Sequence, residues 1–99
     1  MDVSIPDEEI KVIEGILEGY RKKGLDFHAL RTRQAGSRAF ISMHVLVPGA
    51  WTVKQGHDWS ERIEADIREA VSYAHITTHL EPIEDPLSLA DQELDRPLD

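Results

Sequence analysis

The sequence predicts an α+β fold in which two helices cover one face of a three-stranded sheet. Two segments place apolar residues at helical spacing, and three shorter segments alternate apolar and polar residues, as strands do. The predicted order is helix, strand, strand, helix, strand, which is an open-faced sandwich of one helical layer and one sheet. Because no further helix remains, the second face of the sheet is expected to lie open.

The first helix is predicted over residues 4–23. Ser4 is a plausible N-cap, and the acidic residues that follow Pro6 favour the positive end of the helix dipole. Basic residues over 21–23 favour the negative end in the same way. The apolar stripe that should face the core consists of Ile10, Ile13, Leu17 and Tyr20.

Two strands should follow, joined by a turn at Gly36. The strand over residues 26–34 alternates weakly, so its pattern leaves open which side chains face the core. The strand over residues 38–47 alternates strongly and ends before Pro48, which cannot continue a central strand. The core-facing set of this second strand is expected to be Ala39, Ile41, Met43, Val45 and Val47.

The second helix is predicted over residues 53–73, and the third strand over residues 75–81. Thr52, followed three residues later by Gln55, is typical of a capping box at the start of a helix. In the third strand, the residues between the apolar ones include His79 and Glu81. These two side chains are therefore expected on the open face of the sheet.

The chain of 99 residues allows one domain, and its hydrophobic fraction of 40% is enough for a modest core. That domain is expected to span residues 1–82. The tail over residues 83–99 is acidic, rich in proline and without clear periodicity. We therefore expect the tail to be largely disordered.

Charge and composition exclude several functional classes. Nineteen acidic and eleven basic residues give a net charge of −8, and such a surface repels nucleic acids and attracts cations. The absence of cysteine excludes disulfides and thiolate metal sites. No apolar run approaches the ~20 residues of a transmembrane helix, and residues 1–20 do not resemble a signal peptide. Taken alone, the chain is expected to be soluble and cytoplasmic.

Potential metal ligands collect on the predicted open face. His44 lies there if the aliphatic set of its strand faces the helices, and His79 and Glu81 lie there by alternation. His28 joins them if Phe27 and Ala29 face inward, in which case Leu30 also faces outward. Imidazole and carboxylate are suitable ligands for Zn²⁺ and similar ions. His57 begins the second helix, so it could reach this cluster only from a sheet edge or from a partner subunit.

Several other residues that could suggest a binding site are expected to have structural roles instead. His75 shares the face but is expected to be an ordinary surface residue. Arg31 and Arg33 are expected to be salt-bridge partners on a solvated edge rather than a phosphate clamp. Trp51 and Trp59 are expected to be core or dimer contacts.

Three segments of the sequence carry a resemblance to a known family: FHALRTRQAGSRAFISMHVLVPG, QGHDWSERIEADIREA and ITTHLEP. Together they resemble the C-terminal cytoplasmic domain of cation diffusion facilitator transporters, over roughly residues 5–82. Glu81 stands where some members have Asp, and Gly56 replaces the common Ala. The matching residues are His28, Leu30, Arg31, Thr32, Arg33, Gly36, Phe40, Ile41, His44, His57, His79, Glu81 and Pro82.

The resemblance implies a ferredoxin-like, metallochaperone-like domain that forms a homodimer on the cytoplasmic side of a membrane. In such transporters this domain binds zinc or a related divalent cation (Cd²⁺, Co²⁺, Ni²⁺, Mn²⁺ or Fe²⁺) and regulates transport by the transmembrane domain. A non-enzymatic, metal-sensing role is therefore expected, in which metal favours a closed dimer. The implied metal ligands are His28, His44, His57, His79 and Glu81.

Two alternatives stay open at this point. The chain could be a stand-alone cytosolic zinc-binding protein with no transporter part, or an excised domain whose transmembrane helices are missing from the sequence. A binuclear metal hydrolase would use the same ligand types, since two bridged metals can activate water. The sequence offers no separate general base and no evident substrate pocket for such an enzyme.

Overall fold

The structure, a computed structural model, describes residues 3–85 of the chain and confirms the predicted α+β sandwich. The elements follow in the predicted order of helix, strand, strand, helix, strand. They are α1 (Asp7–Arg21), β1 (Asp26–Ala35), β2 (Arg38–Val47), α2 (Val53–Ala70) and β3 (Ala74–Pro82). None of the helices in this part of the chain is long and apolar enough to cross a membrane.

The sheet has the order β1-β2-β3, with β2 in the centre. β1 and β2 are antiparallel and are joined by a tight turn in which Gly36 has a φ of 62°. β2 and β3 are parallel, which requires a crossover connection, and α2 provides it. The three strands thus meet side by side although β3 lies far from β1 in the sequence.

The core lies between the helices and one face of the sheet. The five predicted inward residues of β2 are all 5% exposed or less. They pack in one cluster with residues at helical spacing from both helices, and burying each aliphatic side chain contributes about 1.5–3 kcal/mol. The helical members with the lowest exposure are Ile13, Leu17, Ile63 and Ile67.

Both helices are shorter than predicted: α1 spans Asp7–Arg21 rather than 4–23, and α2 spans Val53–Ala70 rather than 53–73. The N-cap of α1 is Pro6 rather than Ser4, whose hydroxyl instead hydrogen-bonds the Thr32 hydroxyl at 2.6 Å. Pro6 favours an extended conformation for the residue before it, so the chain enters α1 from the edge of β1. α2 begins with the predicted capping box of Thr52 but ends at Ala70, because the chain must turn into β3.

A β-bulge interrupts β1. His28 pairs with His44, but the next pair joins Arg31 to Ser42, so β1 carries one extra residue at this point. Ala29 has a φ of 57°, which few residues other than glycine adopt. The bulge turns Leu30 against the core, so the expectation that Leu30 would share the face of His28 was wrong.

The predicted tail lies mostly outside the described residues, since residues 86–99 are not among them. Residues 83–85 are held to the end of β2. The Ile83 amide donates to the Val47 carbonyl at 2.8 Å, and the Glu84 carboxylate accepts a hydrogen bond from the Gly49 amide at 2.9 Å.

Candidate metal site

No helix among the described residues covers the second face of the sheet, which we call the open face. Strand register and alternation assign its side chains, because directly paired residues of neighbouring strands lie on the same face. Its main members are His28, Arg31 and Arg33 from β1, Phe40, Ser42, His44 and Leu46 from β2, and His75, Thr77, His79 and Glu81 from β3.

One end of the open face brings together a potential ligand from each strand. His28 is the register partner of His44, and Glu81 lies two residues beyond His79, the β3 partner of His44. One ligand atom from each of these three residues lies within 4.8 Å of the others. We call these residues the metal cluster.

Glu81 links the two histidines of the metal cluster. One oxygen, Oε2, is in close contact with Nδ1 of His44 and lies 3.9 Å from Nε2 of His28. The His28 and His44 rings are edge-to-face, with centroids 4.9 Å apart. Ligands in a tetrahedral zinc site with bonds of ~2.0–2.1 Å stand roughly 3.3 Å apart, so small side-chain rotations would suffice to close these three around one ion.

The metal cluster is shielded from solvent although it lies on the open face. The side chains of His28, Glu81 and His44 are 6%, 15% and 20% exposed. Nε2 of His28 is buried and has no hydrogen-bond partner among the described residues. An unpartnered buried polar atom costs about 1–3 kcal/mol, and a ligated metal would remove that cost. Two imidazoles and a carboxylate are a donor set that suits Zn²⁺ and its neighbours.

His79 stands next to the metal cluster, and His57 stands away from it. The His79 ring stacks on that of His44 with centroids 5.3 Å apart, but His79 is exposed to solvent. The His57 side chain is 65% exposed and lies 3.4 Å from the Glu61 carboxylate, one turn along α2. The structure thus gathers three of the five predicted ligands and places His79 beside them. Metal binding by the five residues stays a prediction.

The β-bulge positions His28 next to Ala29, the one non-glycine residue with a positive φ in the described backbone. Sequence reasoning left the phase of β1 open, and an alanine gives no sign of a left-handed conformation. A non-glycine residue at such a φ costs roughly 1–2 kcal/mol and is tolerated mainly where the surrounding structure holds it. The strain at Ala29 is therefore a second indication that this end of the sheet serves a function.

Comparison with known proteins gives a consistent result. The family model described as the cytoplasmic domain of cation efflux proteins matches residues 5–83. An uncharacterized transporter of Synechocystis is 52% identical over 88 residues, which cover 89% of this chain and 28% of the relative. The cation-efflux pump FieF of Pectobacterium atrosepticum is 30% identical over 84% of this chain and 27% of its own length. The chain therefore spans little more than a quarter of these curated relatives.

Solved structures show the same fold. The zinc form of CzrB superposes with a TM-score of 0.74 and 30% identity, over 86% of this chain and 97% of that chain. The metal-bound C-terminal domain of the CzcD transporter from Thermotoga maritima superposes with a TM-score of 0.70 and 26% identity, over 80% of this chain and 92% of that chain.

Proposed function

The chain belongs to the family of cation efflux protein cytoplasmic domains, and from this membership we propose that it is the metal-sensing, dimerising domain of a divalent-cation efflux transporter. The observation that carries the proposal is the metal cluster, a shielded set of two imidazoles and one carboxylate contributed by all three strands. Zinc is the expected ion. The domain would act on the cytoplasmic side of a membrane, joined to a transmembrane domain of the same protein.

The proposed role is regulatory rather than catalytic. The related proteins are described as transporters or their domains, and a cluster near the surface, outside the hydrophobic core, suits reversible binding of an ion. A set without cysteine binds zinc less tightly than thiolate sites do, and other divalent ions share its ligand preferences. His28, His44 and Glu81 would hold one ion, and His79 would extend the site toward solvent.

His57 would join the site from a second copy of the chain. Within one copy it lies outside the metal cluster, and its Nε2 is 3.4 Å from the Glu61 carboxylate instead. Its neighbour Gly56 packs directly on Leu80: a Cβ added at Gly56 would lie 2.5 Å from Cδ2 of Leu80. The first turns of α2 therefore lie against the strand that carries His79 and Glu81, at an edge that a second copy can approach.

Metal would favour a closed dimer through charge as well as ligation. Each copy carries a net charge of −8, so two copies repel each other at short range. A divalent cation held between them adds positive charge where the carboxylate of Glu81 and the histidines meet. The closed arrangement should then be populated only when metal is bound, since ligands from both copies interact better with the ion in that state.

Calorimetric zinc titration of the chelator-treated chain tests the site. We expect binding in the parent protein, its loss in His28→Ala, and its retention in His75→Ala. The control removes a histidine from the same face and the same sheet, but outside the metal cluster. Equal loss in both variants, or no loss in either, would show that zinc binds elsewhere.

Small-angle scattering with and without zinc tests the dimer separately. The parent protein should become more compact on zinc addition, whereas His57→Ala should bind zinc at the metal cluster and stay open. A profile that zinc leaves unchanged in the parent protein would contradict closure without contradicting the metal site.

A further inference from the structure

The other end of the open face forms a shallow basic cavity of about 500 Å³, which we call the arginine pocket. The described residues that line it include two arginines and no acidic residue, although the chain as a whole carries a net charge of −8. The lining residues that matter here are Arg31, Arg33, Phe40, Ser42, His75 and Thr77.

The two arginines lie two residues apart on β1 and share the open face. Arg31 pairs with Ser42, and Arg33 pairs with Phe40, so both guanidinium groups rise from the open face of one strand. Residues two apart on a strand are about 6.6 Å apart along it. Cζ of Arg33 lies 4.3 Å from the centroid of the Phe40 ring, which supports that guanidinium in place. Two guanidinium groups at this spacing suit an extended segment with carboxylates at the same repeat.

The same chain contains a segment of that kind. Asp91, Glu93 and Asp95 alternate with neutral residues in the tail, outside the described part of the chain. In an extended conformation, alternate residues point to one side and repeat at about 6.6 Å, which matches the spacing of the arginine side chains. The hydroxyls of Ser42 and Thr77 add neutral donors between strands.

The tail is also long enough to reach the pocket. The described chain leaves the sheet after β3, at the end where Glu81 pairs with Leu46. From that pair to the one between Ser42 and Thr77 is four residues of strand, or about 13 Å, and crossing the sheet to β1 adds about 10 Å. Glu93 is eight residues beyond Asp85 and spans up to about 26–29 Å. Its carboxylate can therefore reach either arginine.

From this match of charge, repeat and length, we propose that the acidic segment 91–95 docks in the arginine pocket of its own chain. This interaction needs no metal, so it is independent of the proposed function.

A spin label placed in the tail tests the proposal on the full chain. The sequence has no cysteine, so Gln92→Cys provides one attachment site between two of the acidic residues. In chelator at low salt, we expect the label to remove most of the amide signal intensity around Arg31, Ser42 and Thr77. The loss should disappear in 1 M salt, where the Debye length is about 3 Å. It should also disappear in an Arg31→Gln, Arg33→Gln double variant.

A matched control is Lys22→Gln with Lys23→Gln, which removes the same charge from the exposed turn after α1 and should leave the signal loss intact. Three results would overturn the proposal. The first is equal intensity loss over the whole domain. The second is loss seen only when spin-labelled and isotope-labelled chains are mixed, which would assign the pocket to the tail of a second copy. The third is no loss from the tail, together with shifts of the pocket signals on addition of inorganic phosphate, which would identify a small-anion site.

Discussion

The two ends of the open face are built from the same three strands but differ in the solvent exposure of their polar side chains. At the metal cluster the side chains are 6–20% exposed, whereas Arg31, Arg33 and His75 at the arginine pocket belong to exposed residues. Strand alternation places both sets on one face and cannot account for this difference. The β-bulge at Ala29 and the buried Leu46, which is 6% exposed, lie at the metal-cluster end. Alternation therefore selects the face, and local irregularity decides which part of that face shields its polar side chains from solvent.

The largest expected difference between the two ends concerns zinc affinity. Glu81→Gln removes the charge that links both histidines, and we expect it to weaken zinc binding by at least about 100-fold, since even residues behind the ligands contribute 10–100-fold. Arg33→Gln should leave zinc affinity within about twofold. Calorimetric titration of both variants measures the comparison. A similar loss of zinc affinity in the two variants would mean that the arginine pocket influences the metal cluster.

The buried nitrogen of His28 should lower the free energy of unfolding of the domain in the absence of metal. His28→Leu replaces an unpartnered Nε2 with apolar atoms of similar size, so we expect the free energy of unfolding to rise by about 1–2 kcal/mol in chelator. His75→Leu, at an exposed position, should change it by less than about 0.5 kcal/mol. Urea unfolding at one fixed protein concentration gives both values. A decrease in the free energy of unfolding for His28→Leu would indicate that Nε2 has a hydrogen-bond partner in solution.

Strain at the bulge should be measurable as well. Ala29→Gly relieves a φ of 57° at the cost of greater freedom in the unfolded chain, and we expect a net gain of about 0.5–1 kcal/mol. Ala35→Gly, at the other end of β1, should instead lose about 0.5–1 kcal/mol. Thermal or urea unfolding of the pair distinguishes them. Equal losses of stability in the two variants would show that Ala29 is not strained, so that strain at the bulge would no longer indicate a functional site.

A similarly small effect on the free energy of unfolding is expected at the arginine pocket. Phe40→Leu keeps an apolar side chain but removes the ring beneath the Arg33 guanidinium, so we expect a loss of about 0.5–1 kcal/mol. Zinc affinity should not change. Unfolding measured with and without zinc would reveal any effect that reaches the metal cluster.

Much of this architecture could be predicted from the sequence, because it follows from regular patterns. The alternation of β2 predicted its bounds and its inward side, and the pair of Thr52 and Gln55 predicted the start of α2. Alternation also placed His44 and Glu81 on one face.

The remaining features depend on irregular backbone or on tertiary contacts. Nothing in the sequence around Ala29 signals a left-handed residue, so the phase of β1 stayed ambiguous and Leu30 was misplaced. Ser4 was expected as an N-cap, but the nearby edge of β1 offered its hydroxyl another partner. The arginine pocket went unnoticed because its concave shape arises only when three strands are assembled.

The parallel pairing of β2 with β3 has a consequence for when the metal cluster comes into being. His28 and His44 meet through a local hairpin that can form early, but Glu81 arrives only after α2 has crossed over and β3 has docked. Non-local parallel pairing is slow compared with hairpin formation. A chain still emerging during synthesis, with its last strand unformed, would thus offer two histidines and no carboxylate. Under the proposed function, the complete ligand set would therefore form only in a domain that has finished folding, and a nascent chain would bind zinc more weakly than the folded domain.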